Sequence, residues 1–250
     1  MGEVMVPYEY DGKKYVGALV WDDSVSGPWP AIFMQPDWFG VCRRTIDLAA
    51  TAGGPGYLMM LADTYGEGYG EREKDEAELL ERARSARLDL DFVLGCGGEA
   101  YRALRAEAEK RNLIDTSRIG AIGFCMGGGI VLEQARAGAD FKGTLVFHVT
   151  LPNPIGEPPR TDYKGPVMAI HGAADPVTPK AMMDALEAEL TAAGIEWQIV
   201  NVGHAVHAFC VEGANHPGRS LYDPALAKRS FRMMHDFFAE VFASPHAAAA

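Results

Sequence analysis

Short runs of apolar residues alternate along this chain with longer stretches in which apolar residues recur every three or four positions. Residues 31–35, AIFMQ, form a continuous apolar run, which is typical of a strand covered on both faces. Residues 225–242 keep their apolar side chains at helical spacing. The same criteria predict strands over 4–12, 13–21, 31–35, 57–63, 118–124, 143–149, 166–172 and 196–202, and helices over 43–52, most of 66–94, 99–111, 126–137, 178–193 and 225–242.

This alternation predicts an α/β fold with a mostly parallel central sheet and helices on both faces. The first two strands meet at Asp11-Gly12, a hairpin signal, and therefore add an antiparallel N-terminal edge. We predict a single domain over residues 1–244 and a disordered tail over residues 245–250. The proline-rich residues 151–165 are interpreted as an excursion over the edge of the sheet.

Composition narrows the classes of protein to consider. The chain has 250 residues and a formal net charge of −11, with no basic stripe, which disfavours a nucleic-acid partner. No run of 18 apolar residues and no secretory signal are found, so we expect no membrane association and a cytoplasmic location. The four cysteines lack CxxC spacing, which disfavours a disulfide framework, a zinc site and a thiol redox centre.

The segment AIGFCMGGGI, residues 121–130, places a thiol at the end of a predicted strand and surrounds it with glycines. Gly123, Cys125 and Gly127 form G-x-C-x-G, the pattern of the nucleophile elbow G-x-S-x-G with sulfur in place of oxygen. Glycines there let strand and helix pass closely, and the helix N-terminus favours a thiolate. The alternative is that Cys125 is one more small buried residue, the commonest fate of a free cysteine.

Two further signals follow later strands in the order that such an elbow requires. Asp175 lies in a turn after one predicted strand, and His204 and His207 follow the last one. Nucleophile, acid, histidine is the chain order of the α/β-hydrolases. An aspartate before Pro176 would also serve as a turn or helix cap, but the three signals together predict a catalytic triad that includes Cys125.

These segments resemble those of the dienelactone hydrolase family of the α/β-hydrolase superfamily. The sequence AIGFCMGG resembles its elbow, IHGAADPVTP its acid turn, GHAVHAFC its histidine loop, and QPDWFGV the segment after its third strand. The family has a histidine, a small residue and a phenylalanine in the histidine loop. His207, Ala208 and Phe209 match that pattern, so the resemblance favours His207 over His204 as the triad histidine.

The resemblance implies the α/β-hydrolase fold and a hydrolase of carboxylic esters or lactones. In such an enzyme Cys125 would attack the carbonyl group through a thioester, His207 would transfer protons and Asp175 would orient the imidazole. The N–H groups of Met126 and Trp38 are expected to form the oxyanion hole. Neither a metal nor an organic cofactor is implied.

The resemblance also suggests a partner for the resting nucleophile and a set of pocket walls. The family has an acid after the third strand that contacts the resting cysteine, and Asp37 takes that place instead of the usual glutamate. A plain turn residue is the competing interpretation of Asp37. The aromatic residues expected to line the substrate pocket are Phe39, Tyr65, Tyr69 and Phe209.

One departure from the family bears on the substrate. Dienelactone carries a carboxylate, and one branch of the family grips it with arginines, one of them just after the His-x-Phe segment. Residues 209–211 here are Phe, Cys and Val, and Arg72 is the candidate substitute. Without a guanidinium clamp an anionic substrate loses a charge-assisted contact, so a neutral ester or lactone is favoured.

Two further hypotheses about function stay open from the sequence. One is a thioesterase or another acyl-transfer enzyme on the same scaffold, and the other is a non-catalytic binding protein with this fold. The expected partner is a small molecule, and a homodimer is a further hypothesis for which the sequence gives no support.

Overall fold

The computed structural model describes residues 1–73, 75–151 and 161–243, and within these ranges it has one large sheet. The strands of that sheet are β1 (Gly2–Tyr10), β2 (Lys13–Trp21), β3 (Trp29–Gln35), β4 (Leu58–Leu61), β5 (Ile114–Phe124), β6 (Thr144–Phe147), β7 (Val167–Gly172) and β8 (Trp197–Val202). The helices are α1 (Arg43–Gly53), α2 (Glu76–Leu88), α3 (Leu90–Lys110), α4 (Met126–Arg136), α5 (Lys180–Ala192) and α6 (Pro224–Ala243). Two short strands, β9 (Asn215–His216) and β10 (Ser220–Leu221), pair with each other outside the large sheet.

The sheet has the strand order β1-β2-β4-β3-β5-β6-β7-β8. β2 runs antiparallel to both β1 and β4, and the pairs from β4 to β8 are parallel. The hairpin turns at Asp11 and Gly12 with φ of 49° and 71°, the two positive values that a tight turn matching the twist of the strands requires. The predicted α/β fold, with its antiparallel N-terminal edge, is therefore confirmed.

Helices cover both faces of this sheet. Along β3, Ala31 and Phe33 join the core beneath α3, α4 and α5, whereas Ile32 and Met34 join the core beneath α1 and α6. Because every position of a central strand is buried, the strand is a continuous apolar run without alternation. The described helices include none that is long and apolar enough to cross a lipid bilayer.

The boundary between α2 and α3 differs from the sequence prediction. The pattern indicated a helix through most of 66–94 and a second one over 99–111, but the chain breaks at Asp89. The carboxylate of Asp89 accepts a hydrogen bond from the N–H of Phe92 at 3.0 Å and so caps α3. The glycines between the two predicted helices, at positions 95, 97 and 98, lie inside α3. A Cβ on Gly97 would collide with a glutamine side chain of α4, so Gly97 permits close packing of these two helices and does not end one.

The other predicted element boundaries differ less from those in the structure. β5 begins at Ile114, earlier than predicted, and α5 begins at Lys180, directly after a proline. Of the predicted excursion over 151–165, residues 152–160 lie outside the described residues, as does the predicted disordered tail over 245–250. The single domain over 1–244 stays a prediction.

The turn between β5 and α4 brings the start of α4 against the end of β3. A Cβ on Gly127 would lie 2.6 Å from the carbonyl carbon of Gln35, and one on Gly123 would lie 2.5 Å from the nitrogen of Gly128. Both obstacles are backbone atoms, which cannot swing aside as a side chain can. These two glycines are therefore required by steric fit.

We expect Gly127→Ala to lower the free energy of unfolding by about 3 kcal/mol or more, because overpacking against backbone forces strand and helix apart. Gly203→Ala is the matched control, since a Cβ at Gly203 meets no atom within 4 Å. That change should shift stability by only about 0.5 kcal/mol. Urea unfolding followed by circular dichroism measures both, and equal stabilities would contradict the steric argument.

Candidate active site

Cys125 lies in the turn between β5 and α4, at the carboxyl edge of the sheet. Its backbone has φ of 54° and ψ of −120°, a conformation that costs a non-glycine residue about 1–3 kcal/mol. Backbone hydrogen bonds hold the turn: the N–H of Cys125 donates to the carbonyl of Phe147 at 3.1 Å, and Gly128 donates to the carbonyl of Cys125 at 3.1 Å. Strain sustained in this way is characteristic of functional sites.

Asp175 and His207 follow β7 and β8 at the same edge of the sheet. Asp175 Oδ1 accepts hydrogen bonds from the N–H groups of Val177 at 2.7 Å and Thr178 at 3.2 Å, which leaves Oδ2 free to face the imidazole. The backbone of His207 is held by two hydrogen bonds. Its N–H donates to the carbonyl of Arg219, and its carbonyl accepts from the N–H of Leu221 in β10.

The three side chains meet within hydrogen-bonding distance. His207 Nε2 lies 2.9 Å from Cys125 Sγ, and His207 Nδ1 lies 2.7 Å from Asp175 Oδ2. Asp175 and His207 are buried, whereas Cys125 is half-buried and faces a cavity. The arrangement can therefore move a proton between sulfur and imidazole beside a cavity.

Electrostatics favour the charged imidazole of His207. Burial by itself lowers the pKa of His207, but the charge of the Cys125 sulfur and the hydrogen bonds to Asp175 and Cys125 outweigh it and raise that pKa to about 10. The raised pKa of His207 favours the protonated imidazole in the folded protein.

The other histidines near this edge have different surroundings. His204 is exposed and lies 3.4 Å from Asp223, away from the sulfur. His171 is buried and donates from Nε2 to the carbonyl of Thr178 at 2.9 Å, and burial lowers its pKa. His148 lies edge-on beneath His207, with ring centroids 5.2 Å apart, and burial holds the pKa of His148 well below its usual value.

The backbone groups expected to bind an oxyanion border the same cavity. Met126 is the first residue of α4, so its N–H has no carbonyl partner within the helix. Trp38 follows β3, and both residues line the cavity together with Cys125. Their N–H roles stay a prediction.

The cavity above the sulfur has a volume of about 900 Å³. Of the four predicted aromatic walls, Phe39 lines it and the other three do not. Tyr65 and Tyr69 pack with Met126 in a small buried cluster, and Phe209 lies fully buried against the ring of His148. They were misassigned because residues in a loop at the correct edge can still point into the core.

Several cavity residues escaped the sequence prediction. α2 supplies one wall, although the sequence predicted only a helix there, and the loop after His207 supplies another. Thr150, which follows β6, places Oγ1 3.4 Å from Cys125 Sγ. The sequence signal that could have identified Thr150 was its position directly after a strand that ends at the same edge of the sheet as Cys125. The described lining residues missed in this way include Arg44, Leu79, Leu80, Ala83, Arg84, Thr150, Leu151, Val211 and Arg219.

Among the described residues, no group of three or more histidine, cysteine or acidic side chains is placed to hold a metal ion.

The sequence model of the dienelactone hydrolase family matches residues 16–242. The chain belongs to this family. A Methylorubrum extorquens protein named "Putative carboxymethylenebutenolidase" is 28% identical over 231 residues, which cover 83% of this chain and 72% of that protein. A solved structure described as a dienelactone hydrolase-like promiscuous phosphotriesterase from metagenomic libraries matches with a TM-score of 0.85 and 29% identity, covering 96% of this chain and 98% of that one. The expectation of a hydrolase with the α/β-hydrolase fold is thus confirmed.

The acid that the dienelactone hydrolase family presents to the resting cysteine is engaged elsewhere in this member. Asp37 Oδ2 accepts a hydrogen bond from Arg44 at 2.7 Å, and Oδ1 accepts one from the N–H of Phe39 at 3.0 Å. The described hydrogen bonds of Cys125 Sγ run to His207 and Thr150. The predicted contact between Asp37 and Cys125 is therefore not formed, because a guanidinium group competes for the carboxylate.

The arginine substitute considered for this family member is also engaged elsewhere. Arg72 forms an ion pair with Glu78 and lies over the ring of Tyr69. It is not among the described residues that line the cavity.

We expect Cys125→Ala to lower the pKa of His207 from its raised value, because the sulfur's charge supplies the largest of the contributions that raise it. Titration of the histidine ring protons by NMR measures this change. His204, exposed beside Asp223, serves as the internal control. An unchanged His207 titration would contradict the contribution of the Cys125 sulfur to the raised pKa of His207.

Proposed function

We propose that this protein hydrolyses carboxylic esters or lactones through a thioester formed on Cys125, with His207 and Asp175 completing a triad. The observation that carries the proposal is the pair of short contacts on one imidazole, 2.9 Å to the sulfur and 2.7 Å to the carboxylate, beside a cavity. Membership of the dienelactone hydrolase family supports the same chemistry.

Acylation begins with the thiol proton on His207, which leaves a thiolate at Cys125. The sulfur attacks the carbonyl carbon, and the carbonyl oxygen becomes an oxyanion that the N–H groups of Met126 and Trp38 bind. Removing one such donor typically costs about 3–4 kcal/mol in the transition state. The C–O bond then breaks, and His207 returns the proton to the departing alkoxide, so that the alcohol leaves and the thioester remains.

Deacylation reverses these roles with water as the nucleophile. Neutral His207 takes a proton from water while the oxygen attacks the thioester carbonyl. The C–S bond breaks, the electron pair returns to sulfur, and the carboxylic acid departs. The resting pair of thiolate and imidazolium is restored.

Asp175 acts on the histidine and not on the substrate. Its side chain is fully buried and is fixed by two backbone N–H groups. It therefore holds Nδ1 of His207 in the protonated tautomer, directs Nε2 at the sulfur and stabilises the imidazolium.

The charges around the cavity favour a neutral substrate. Among the described lining residues, the arginines are matched in number by carboxylates: Arg44, Arg84 and Arg219 against Asp37, Glu76 and Glu81. Arg44 pairs with Asp37, and Arg219 pairs with Glu76 at 3.0 Å. A substrate carboxylate entering this space would have to compete with acids already bound to these guanidinium groups.

A thioesterase would use the same triad, since a thioester carbonyl is attacked and expelled in the same way. Paired oxygen and sulfur esters of one acyl group distinguish the two activities by their kcat/KM values. A binding protein without catalysis would turn over neither.

We expect Cys125→Ala to lower kcat/KM for a p-nitrophenyl ester by about 10³-fold or more, since the other triad members cannot act without the nucleophile. Cys42→Ser is the control, because Cys42 is half-buried at the start of α1 and should leave turnover within twofold, an approximate bound for a change away from the reacting atoms. Undiminished turnover in Cys125→Ala would refute the proposed nucleophile.

We also expect p-nitrophenyl butyrate to be hydrolysed with a kcat/KM at least about tenfold above that of mono-p-nitrophenyl succinate, whose acyl chain has the same length and ends in a carboxylate. The reason is that the charge would lose water, while two of the lining arginines, Arg44 and Arg219, are already paired with Asp37 and Glu76. A preference for the succinate would overturn the neutral-substrate proposal and direct attention to Arg84.

A further inference from the structure

The side chain of Thr150 is the second neighbour of the candidate nucleophile. Its Oγ1 lies 3.4 Å from Cys125 Sγ, on the sulfur that also contacts His207. The N–H of Thr150 donates to the carbonyl of Cys125 at 2.8 Å. The two residues are therefore joined through both backbone and side chain.

The segment that carries Thr150 is fixed from two sides. On the elbow side, the N–H of Cys125 donates to the carbonyl of Phe147 at 3.1 Å. On the side of the acid turn, Thr178 Oγ1 donates to the carbonyl of Val149 at 2.7 Å. Between them His148 has a φ of 36°, a left-handed conformation that turns the chain sharply after β6. The hydroxyl is thus placed by the same two loops that carry the sulfur and the carboxylate.

The direction of this hydrogen bond follows from the chemistry of its partners. A hydroxyl can donate or accept, whereas a thiolate can only accept. When the proton of Cys125 has moved to His207, the Thr150 hydroxyl must therefore be the donor. A donor stabilises negative charge on the sulfur, which a carboxylate at the same distance would oppose.

We propose that Thr150 is a catalytic residue that donates a second hydrogen bond to the Cys125 thiolate, a role that rests on the proposed function of that sulfur as nucleophile. The bond acts at two stages. In the resting protein it stabilises the thiolate before the substrate binds. In deacylation it stabilises the thiolate again as the C–S bond breaks and the electron pair returns to sulfur.

The engagement of Asp37 with Arg44 complements this arrangement. With the carboxylate bound to a guanidinium at 2.7 Å, the described partners left to the sulfur are an imidazolium and a hydroxyl. Both can donate to a thiolate. Among the described residues, no carboxylate contact therefore has to break before the sulfur can react.

The test compares Thr150→Val with Thr150→Ser in the full chain. The rate of alkylation of Cys125 by iodoacetamide is followed against pH, with the modified peptide identified by mass spectrometry so that Cys42, Cys96 and Cys210 do not contribute. We expect the midpoint of the profile to rise by about one pH unit in Thr150→Val, because the thiolate loses a donor, and to stay near the wild-type value in Thr150→Ser. Coincident profiles for the wild type and Thr150→Val would overturn the proposal.

A kinetic measurement tests the second stage, which is deacylation. With a p-nitrophenyl ester, we expect deacylation in Thr150→Val to slow by about tenfold, seen as a larger accumulation of acyl-enzyme after the burst, and Thr150→Ser to restore the rate. If Thr150 had a purely structural role, Thr150→Val would alter folding without slowing deacylation selectively. If Thr150→Val does not fold, comparing the deacylation rates of Thr150→Ala and Thr150→Ser tests the role of the hydroxyl instead.

Failure of this inference is distinguishable from failure of the proposed function. If Cys125→Ala retained ester turnover, the proposed function would fall, but the alkylation profile would still report whether Thr150 binds the sulfur. If Cys125→Ala lost turnover while Thr150→Val left both the profile and deacylation unchanged, only the role of Thr150 would fall.

Discussion

The rest of the site depends on the two hydrogen-bonding contacts of the His207 imidazole. The ring is bound on both sides, to the sulfur of Cys125 and to the carboxylate of Asp175, and these three side chains come from loops after three different strands. Parallel strands place their carboxyl ends at one edge of a sheet, so residues more than eighty positions apart in the chain, such as Cys125 and His207, can meet there. A histidine held in this way can both accept and donate a proton without changing its orientation.

The geometry of that contact requires a strained turn. Cys125 occupies a left-handed backbone conformation that its side chain disfavours, and the surrounding hydrogen bonds and glycines make this conformation the one that fits. Gly123 and Gly127 remove the atoms that would otherwise separate strand and helix. The turn places the half-buried sulfur at the edge of the cavity, beside the start of α4.

The cavity takes part of its lining from an element that does not hold the triad. α2 supplies one wall, whereas the loop after His207 lines the cavity and is also hydrogen-bonded to the backbone of His207. Ion pairs within the lining, Asp37 with Arg44 and Glu76 with Arg219, balance its charge. Family members that keep the same catalytic edge could therefore differ in substrate charge through these walls alone.

The sequence by itself determined the order of strands and helices, the elbow around Cys125, and the acid and histidine that follow in the required order. These features are local: apolar periodicity, glycine spacing and turn chemistry all act within a few residues. Only the tertiary structure decided that Asp37 binds Arg44 and not the sulfur, that Tyr65 points into the core, and that Thr150 reaches Cys125. The reason is physical: the direction of a side chain in a loop depends on which distant group competes for it, and that competition exists only once the chain is packed.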